Sequence, residues 1–285
     1  MTSLRYSNVS FSYEDDHPIL HEINLEFQTG QIIGVIGPNG SGKSTLLKLA
    51  NGLLRPQLGT VTIDTHDIRQ IRTSQLSQQI HVTFQFTRQQ FFTSSVEKEI
   101  LVTLERHEAR ESVCNQRMME LISEFRLEDC RTLHPYMLSG GEQRRLVLAL
   151  AMASSAQFFL LDEPTAGLDK ETIQLLFKTL YRLRNERRGV IIVSHDIDAV
   201  LKVCDKVVVL IDGNIDYLGS ASEVIIKARE DSWDFFDLPE IFHFLYSLDT
   251  NKSMPGIINK YIATETLVVK ANFVSAILEE RENVP

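Results

Sequence analysis

Residues 32–36, Ile-Ile-Gly-Val-Ile, form a continuous apolar run that leads into Gly37-Pro38-Asn39-Gly40-Ser41-Gly42-Lys43-Ser44, and a helix-like run follows from Lys43 through Ala50. A strand, a glycine-rich turn and a helix in this order fit the phosphate-binding loop pattern GxxxxGK[ST]. Glycines at these spacings let backbone N–H groups turn inward and approach a phosphate with no Cβ in the way. The helix behind them points its positive end at the same oxygens. Lys43 is placed to reach β and γ phosphates and Ser44 to ligate Mg²⁺, with Thr45 next in the helix. A glycine-rich turn with no ligand is the competing reading, and the flanking strand and helix count against it.

The unit predicts an α/β fold. Three further apolar runs, 158–162, 190–194 and 206–211, are separated by helix-length segments such as 170–187, which is how strands buried on both faces of a parallel sheet read. Upstream, 4–11 and 21–27 alternate as half-buried strands around the acidic turn Glu14-Asp15-Asp16, an antiparallel lead-in. Between 87 and 157 no comparable β run occurs, and Val113, Met118, Leu121, Ile122 and Phe125 recur at helical spacing. After Gly219 a third region opens with a capped helix at Ser222–Ile226. An acidic, aromatic stretch over 231–237 follows, then Pro239 in the first turn of a helix carrying Ile241, Phe244, Leu245 and Leu248. Packed appendage and protein-contact surface are both open readings of this tail. The expected organisation is a nucleotide-binding core from 1–86 and 158–219, a helical subdomain over 87–157 and a C-terminal extension over 220–285.

Composition narrows the function. A hydrophobic fraction of 43% and a charged fraction of 24% in 285 residues are those of a folded globular protein. A net charge of -9 argues against a general polyanion binder, so no nucleic-acid partner is expected. Cys114, Cys130 and Cys204 are widely spaced and odd in number, which points to neither a disulfide framework nor a zinc site, and to a reducing cytoplasm. No stretch approaches the ~18 apolar residues of a spanning helix and the N-terminus carries no leader pattern, so membrane association is expected to run through a partner.

Two further segments carry chemistry. Phe158-Phe159-Leu160-Leu161-Asp162-Glu163 ends an apolar strand on two carboxylates. Asp162 is suited to the Mg²⁺ shell and Glu163 to orienting the attacking water or accepting its proton. Polar strand ends are common, so the pair gains its weight from the phosphate loop upstream. In Leu138-Ser139-Gly140-Gly141-Glu142-Gln143, Ser139 can cap a helix beginning near Glu142, and the two glycines expose N–H groups that form a second anion site. Taken alone, the hexapeptide also reads as a serine-capped helix after a turn.

That hexapeptide, with the phosphate loop before it and the acidic strand end after it, resembles the signature of the ABC ATPase family. The resemblance covers roughly residues 2–220. It implies an α/β, ABC-type P-loop NTPase with a mixed or parallel core sheet, an antiparallel β subdomain, a helical insertion and a small α-rich C-terminal appendage. It further implies a head-to-tail dimer in which the phosphate loop of one subunit and the signature of the other close over each ATP. Gln85 takes the place of the glutamine that links the catalytic core to the helical insertion and reaches the Mg²⁺. Ala166-Gly167-Leu168-Asp169 corresponds to the D-loop and His195 to the γ-phosphate contact. Tyr13 corresponds to the aromatic residue that stacks on adenine, with simple packing as its competing role. A lone histidine or glutamine would otherwise read as structural.

The segment from Gln85 to Phe92, the helix near Ser95-Val96-Glu97 and the tail Asp237-Leu238-Pro239-Glu240-Ile241 are similar to the ATPases of energy-coupling factor importers, which take up vitamins or metal ions such as cobalt and nickel. Those ATPases work with a membrane scaffold and a separate substrate-binding membrane protein. In Phe86-Thr87-Arg88-Gln89, Arg88 stands where that branch carries an acid. The expectation is therefore an ATP- and Mg²⁺-dependent ATPase subunit at the cytoplasmic face of the membrane, paired with a second ATPase subunit and with integral membrane transporter subunits. A soluble ABC ATPase, for instance in cluster assembly, and an ATP-gated association module are the alternatives. Glu163 favours turnover over the second.

Overall fold

The computed structural model describes residues 1–14, 17–83, 91–108, 110–231 and 233–235. Strands β1 (Ser3–Ser12) and β2 (Pro18–Gln28) pair antiparallel and are followed by β3 (Ile32–Ile36), helix α1 (Lys43–Ala50), β4 (Leu58–Ile63) and the short β5 (His66–Asp67). Helix α2 (Thr73–Gln79) leads into β6 (Ile80–Thr83). Helices α3 (Val96–Glu105), α4 (Glu111–Glu124) and α5 (Gly140–Ala153) come next. The chain then alternates through β7 (Phe158–Asp162), α6 (Lys170–Asn185), β8 (Gly189–Val193), α7 (Ile197–Val203) and β9 (Lys206–Ile211), and closes with β10 (Asn214–Gly219) and α8 (Ala221–Glu230).

Two sheets result. One is four-stranded in the order β2-β1-β4-β5; the other is six-stranded in the order β10-β9-β3-β8-β7-β6, parallel from β9 to β6 with β10 antiparallel at its edge. The continuous apolar runs are explained by the pleat, which sends alternate side chains to opposite faces. Phe158 and Leu160 of β7 join the core shared with the antiparallel sheet and α1, as do Ile33 and Val35 of β3. Phe159 and Leu161 join the helical layer on the other face, as do Val190 and Ile192 of β8. Each such fully buried side chain contributes about 1.5–3 kcal/mol.

Several local expectations shift. In α4 the stripe of Met118, Leu121 and Ile122 is buried as expected and Phe125 closes it, but its first position is Cys114, while Val113 is 38% exposed. Helix α5 begins at Gly140 rather than near Glu142, because Ser139 and Glu142 form a reciprocal capping box that ties down the N–H groups of those two residues. Helix α8 starts at Ala221 for the same reason: its cap is Ser220, bonded to Glu223, and not Ser222. Strands β4, β5, β6 and β10 are additional to the six read from the sequence. The tail segment 237–248 and residues 84–90 lie outside the described residues. No helix among those described is long and apolar enough to cross a membrane.

Candidate nucleotide site

Strand order positions the site. Because β3, β8 and β7 are parallel neighbours, with Val35 opposite Val193 and Val193 opposite Asp162, their carboxyl ends open side by side. This is where open α/β sheets place ligands. A cavity of about 610 Å³ lies there, lined by Tyr13, Asn39 to Thr45, Asp162, Glu163 and His195.

The phosphate loop is shaped by contacts that exclude a Cβ. Gly37 has φ +152°, and a Cβ there would fall 1.9 Å from the Leu210 carbonyl oxygen; Gly42 has φ +101°, and a Cβ would fall 2.7 Å from the Leu20 side chain. Helix α1 starts directly behind Gly42 with no side-chain cap, so the free N–H groups of its first turn remain at the loop. Lys43 is folded back, its Nζ donating to the carbonyls of Gly37 and Pro38 at 2.8 Å each. Burial lowers the Lys43 pKa, and the carboxylates of Glu163 and Asp162 oppose that shift. Ser41 Oγ is buried with no hydrogen-bond partner among the described residues.

Asp162 and Glu163 have different surroundings. Burial pushes the Asp162 carboxyl above its ordinary value, reinforced by Glu163 and opposed by the Ser44 hydroxyl, which donates to it, and by Lys48 and Lys43. Glu163 sits at φ +50° and its N–H donates to Val193 O at 2.8 Å. Its carboxylate accepts the Ser194 hydroxyl at 3.1 Å and the His195 backbone N–H at 3.1 and 3.2 Å, and Oε2 lies 2.8 Å from His195 Nδ1. The sequence pattern assigns no site role to Ser194 or Lys48; the signal for Ser194 is its place between a buried strand and His195.

Tyr13 is 56% exposed, its hydroxyl 3.3 Å from Thr45 Oγ1 and its ring edge-on to Phe11. The signature segment stands apart: none of residues 138–143 lines the phosphate-loop cavity. Leu138 and Gln143 are buried, Gln143 Nε2 donating to the carbonyls of Pro135 and Leu138, whereas Ser139 and Gly140 are exposed at the start of the 14-residue α5. Asp169 caps α6 by accepting the Thr172 N–H at 2.7 Å, a bond that holds its carboxyl below the ordinary range. The Ala166 carbonyl accepts from Arg144 Nη2 at 3.3 Å, and Gly167 has φ +70°. Gln85 lies outside the described residues, as do Phe86, Thr87, Arg88 and Gln89.

A glycine loop between the central strand and a helix, with an Asp-Glu pair closing a neighbouring strand, defines a P-loop nucleoside triphosphatase. Residues 20–166 match the ABC transporter family. The chain belongs to that family: it is an ABC transporter ATP-binding subunit and an ATPase. It is 30% identical over 258 residues to the energy-coupling factor transporter ATP-binding protein EcfA2 of Staphylococcus aureus, covering 87% of this chain and 90% of that one. Among solved structures it superposes on cbiO1 from Clostridium perfringens, part of the ABC transporter complex cbiONQ, with a TM-score of 0.71 and 28% identity over 85% of this chain and 98% of the other. A dimeric bacterial ABC transporter cassette gives a TM-score of 0.68 and 26% identity over 76% and 98%.

Proposed function

We propose that this chain is the ATP-hydrolysing subunit of an energy-coupling factor type importer for a vitamin or metal ion, acting at the cytoplasmic face of the membrane through separate membrane subunits. The observation that carries the reading is the meeting of Lys43, Ser44, Asp162, Glu163 and His195 on one cavity, with the exposed N-terminus of α5 elsewhere on the surface. Such a site is half complete and calls for a second ATPase subunit, identical or related, whose Ser139-Gly140-Gly141 equivalent closes over the γ-phosphate. The similarity to EcfA2 and cbiO1 supports the importer branch, and the dimeric cassette supports the pairing.

In this reading, residues 1–86 and 158–219 form the nucleotide-binding core, 87–157 the helical subdomain and 220–285 an extension. Residues Gly37 to Thr45 cradle the phosphates, and Tyr13 offers its exposed ring to adenine. The Ser44 hydroxyl, already bonded to the Asp162 carboxylate, and Asp162 itself form the hard oxygen set that suits Mg²⁺, with Gln85 as the third expected donor. Mg²⁺ supplies charge neutralisation on the β and γ phosphates when bound. Glu163 orients a water oxygen toward the γ-phosphorus and takes its proton as the bond to the bridging oxygen breaks, leaving ADP and phosphate. His195 turns its donor to the γ-phosphate, and Asp169 and Ala166 to Leu168 face the second subunit.

Closure around ATP and release after hydrolysis would then rock the membrane partners, which carry the substrate selectivity. The test is purification of the tagged chain from detergent-solubilised membranes. Recovery with a second ATPase and integral membrane subunits, and ATP-dependent uptake after reconstitution, are expected. Recovery with soluble cluster-assembly proteins alone would overturn the transport reading.

A further inference from the structure

Helix α5 presents Gly140 at its exposed start, and Arg144 follows four residues on, on the same face one turn deeper. Arg144 Nη2 reaches the Ala166 carbonyl at 3.3 Å. Ala166 lies in the bend that joins Glu163 to Asp169, and its own N–H returns to the Glu163 carbonyl at 3.3 Å. A second turn, from Leu168 N–H to Thr165 O at 3.2 Å, carries the bend to Asp169, which is fixed as the cap of α6. At the other end Glu163 is held at φ +50° by Val193 O. The bend is therefore pinned at both ends and tethered at its middle to the signature helix.

We infer that Arg144 is a positioning residue which ties the signature end of α5 to Glu163 of the same chain, so that the contact α5 makes with a partner's nucleotide sets the hydrolytic geometry over this chain's own. The inference rests on the ATPase reading above and adds a route between the two ATP sites of the dimer. α5 is a helix packed along its length, with Leu146, Ala149 and Ala153 buried in the helical core. A shift of its first turn is delivered to the Ala166 carbonyl and, through one hydrogen-bonded turn, to Glu163. A guanidinium suits this joint because its planar fork fixes direction as well as distance, which an ammonium does not. Burial lowers the Arg144 pKa, so a cation held here is unfavourable unless its N–H groups find acceptors.

The experiment compares Arg144→Met, which keeps the stem and removes the donors, with Arg144→Lys, in the chain assembled with its partners. Steady-state ATP turnover, ATP affinity and thermal midpoint are measured. The same substitutions are also placed in a Glu163→Gln background, where ATP-trapped dimer is counted by size-exclusion chromatography. Arg144→Met is expected to lower kcat roughly tenfold with ATP affinity and thermal midpoint unchanged and trapped dimer still formed, and Arg144→Lys to recover part of the loss. Unchanged turnover in Arg144→Met overturns the inference. So does loss of trapped dimer in parallel with turnover, since Arg144 would then merely build the signature end. A Glu163→Gln chain that hydrolyses ATP normally would instead defeat the role given to Glu163 in hydrolysis, which keeps the two failures separate.

Discussion

Oε2 of Glu163 lies 2.8 Å from Nδ1 of His195, and the same carboxylate accepts the His195 backbone N–H and the Ser194 hydroxyl. Donors from one turn thus hold the glutamate against the end of β8. Holding Glu163 at φ +50° costs about 1–2 kcal/mol for a residue with a Cβ. The two partners differ in freedom, since the His195 side chain is 70% exposed and that of Glu163 only 13%. The imidazole can swing to a γ-phosphate without disturbing the core. Glu163 then loses one of its contacts and keeps the backbone N–H and the serine that aim it.

Replacing His195 by Ala should lower ATP turnover about 10- to 100-fold while ATP affinity changes little, if the imidazole acts on the γ-phosphate as proposed, since Glu163 keeps its other two donors. Steady-state kinetics beside nucleotide-binding titrations check the split. A rise in the dissociation constant with kcat intact would place His195 in binding alone.

Asp162 supplies a pH signature. Its folded pKa is raised, chiefly by burial, so between the ordinary aspartate value and the raised one the folded chain holds more proton than the unfolded chain. Stability should therefore fall as pH rises through that window, the reverse of the usual carboxylate. Asp162→Asn removes the buried charge: the nucleotide-free chain should melt at a higher temperature at neutral pH, lose this pH dependence and hydrolyse no ATP. Thermal midpoints of both chains across the acid range measure it.

Gly140 separates folding from function. A Cβ there meets nothing within 4 Å, and the residue opens a helix in which Ala is favoured over Gly by up to about 1 kcal/mol. Gly140→Ala should leave the thermal midpoint unchanged or slightly raised. Turnover should nevertheless drop severalfold, because on the proposed reading the added methyl occupies the surface offered to a partner's phosphate. A drop in the midpoint that tracked the activity would mean that Gly140 serves the fold alone.

Legibility in the sequence followed distance along the chain. The loop Gly37 to Ser44 is eight consecutive residues, and Asp162 and Glu163 end an uninterrupted apolar strand; both patterns are local. Ser194 could not be read this way, because its partner Glu163 is 31 residues away and comes near only when β8 lies beside β7. The parallel strands were visible because burial on both faces leaves them wholly apolar. Strand β6 was not: it has four residues, and its half-buried His81 packs against Phe159 where an apolar side chain would have shown the run. Burial lowers the His81 pKa to about 4, so it stays neutral there. The misplaced Val113 and the misplaced Ser222 cap are of one kind. A single residue turns a helix by about 100°, and two serines two apart present the same capping chemistry.

The central claim is that Glu163 drives hydrolysis at a phosphate-loop site. Its most direct test is ATP turnover by Glu163→Gln, with nucleotide binding and oligomeric state followed in parallel. Turnover should fall by roughly 100-fold or more while ATP still binds and accumulates a trapped dimer. Turnover equal to that of the unsubstituted chain would contradict the account.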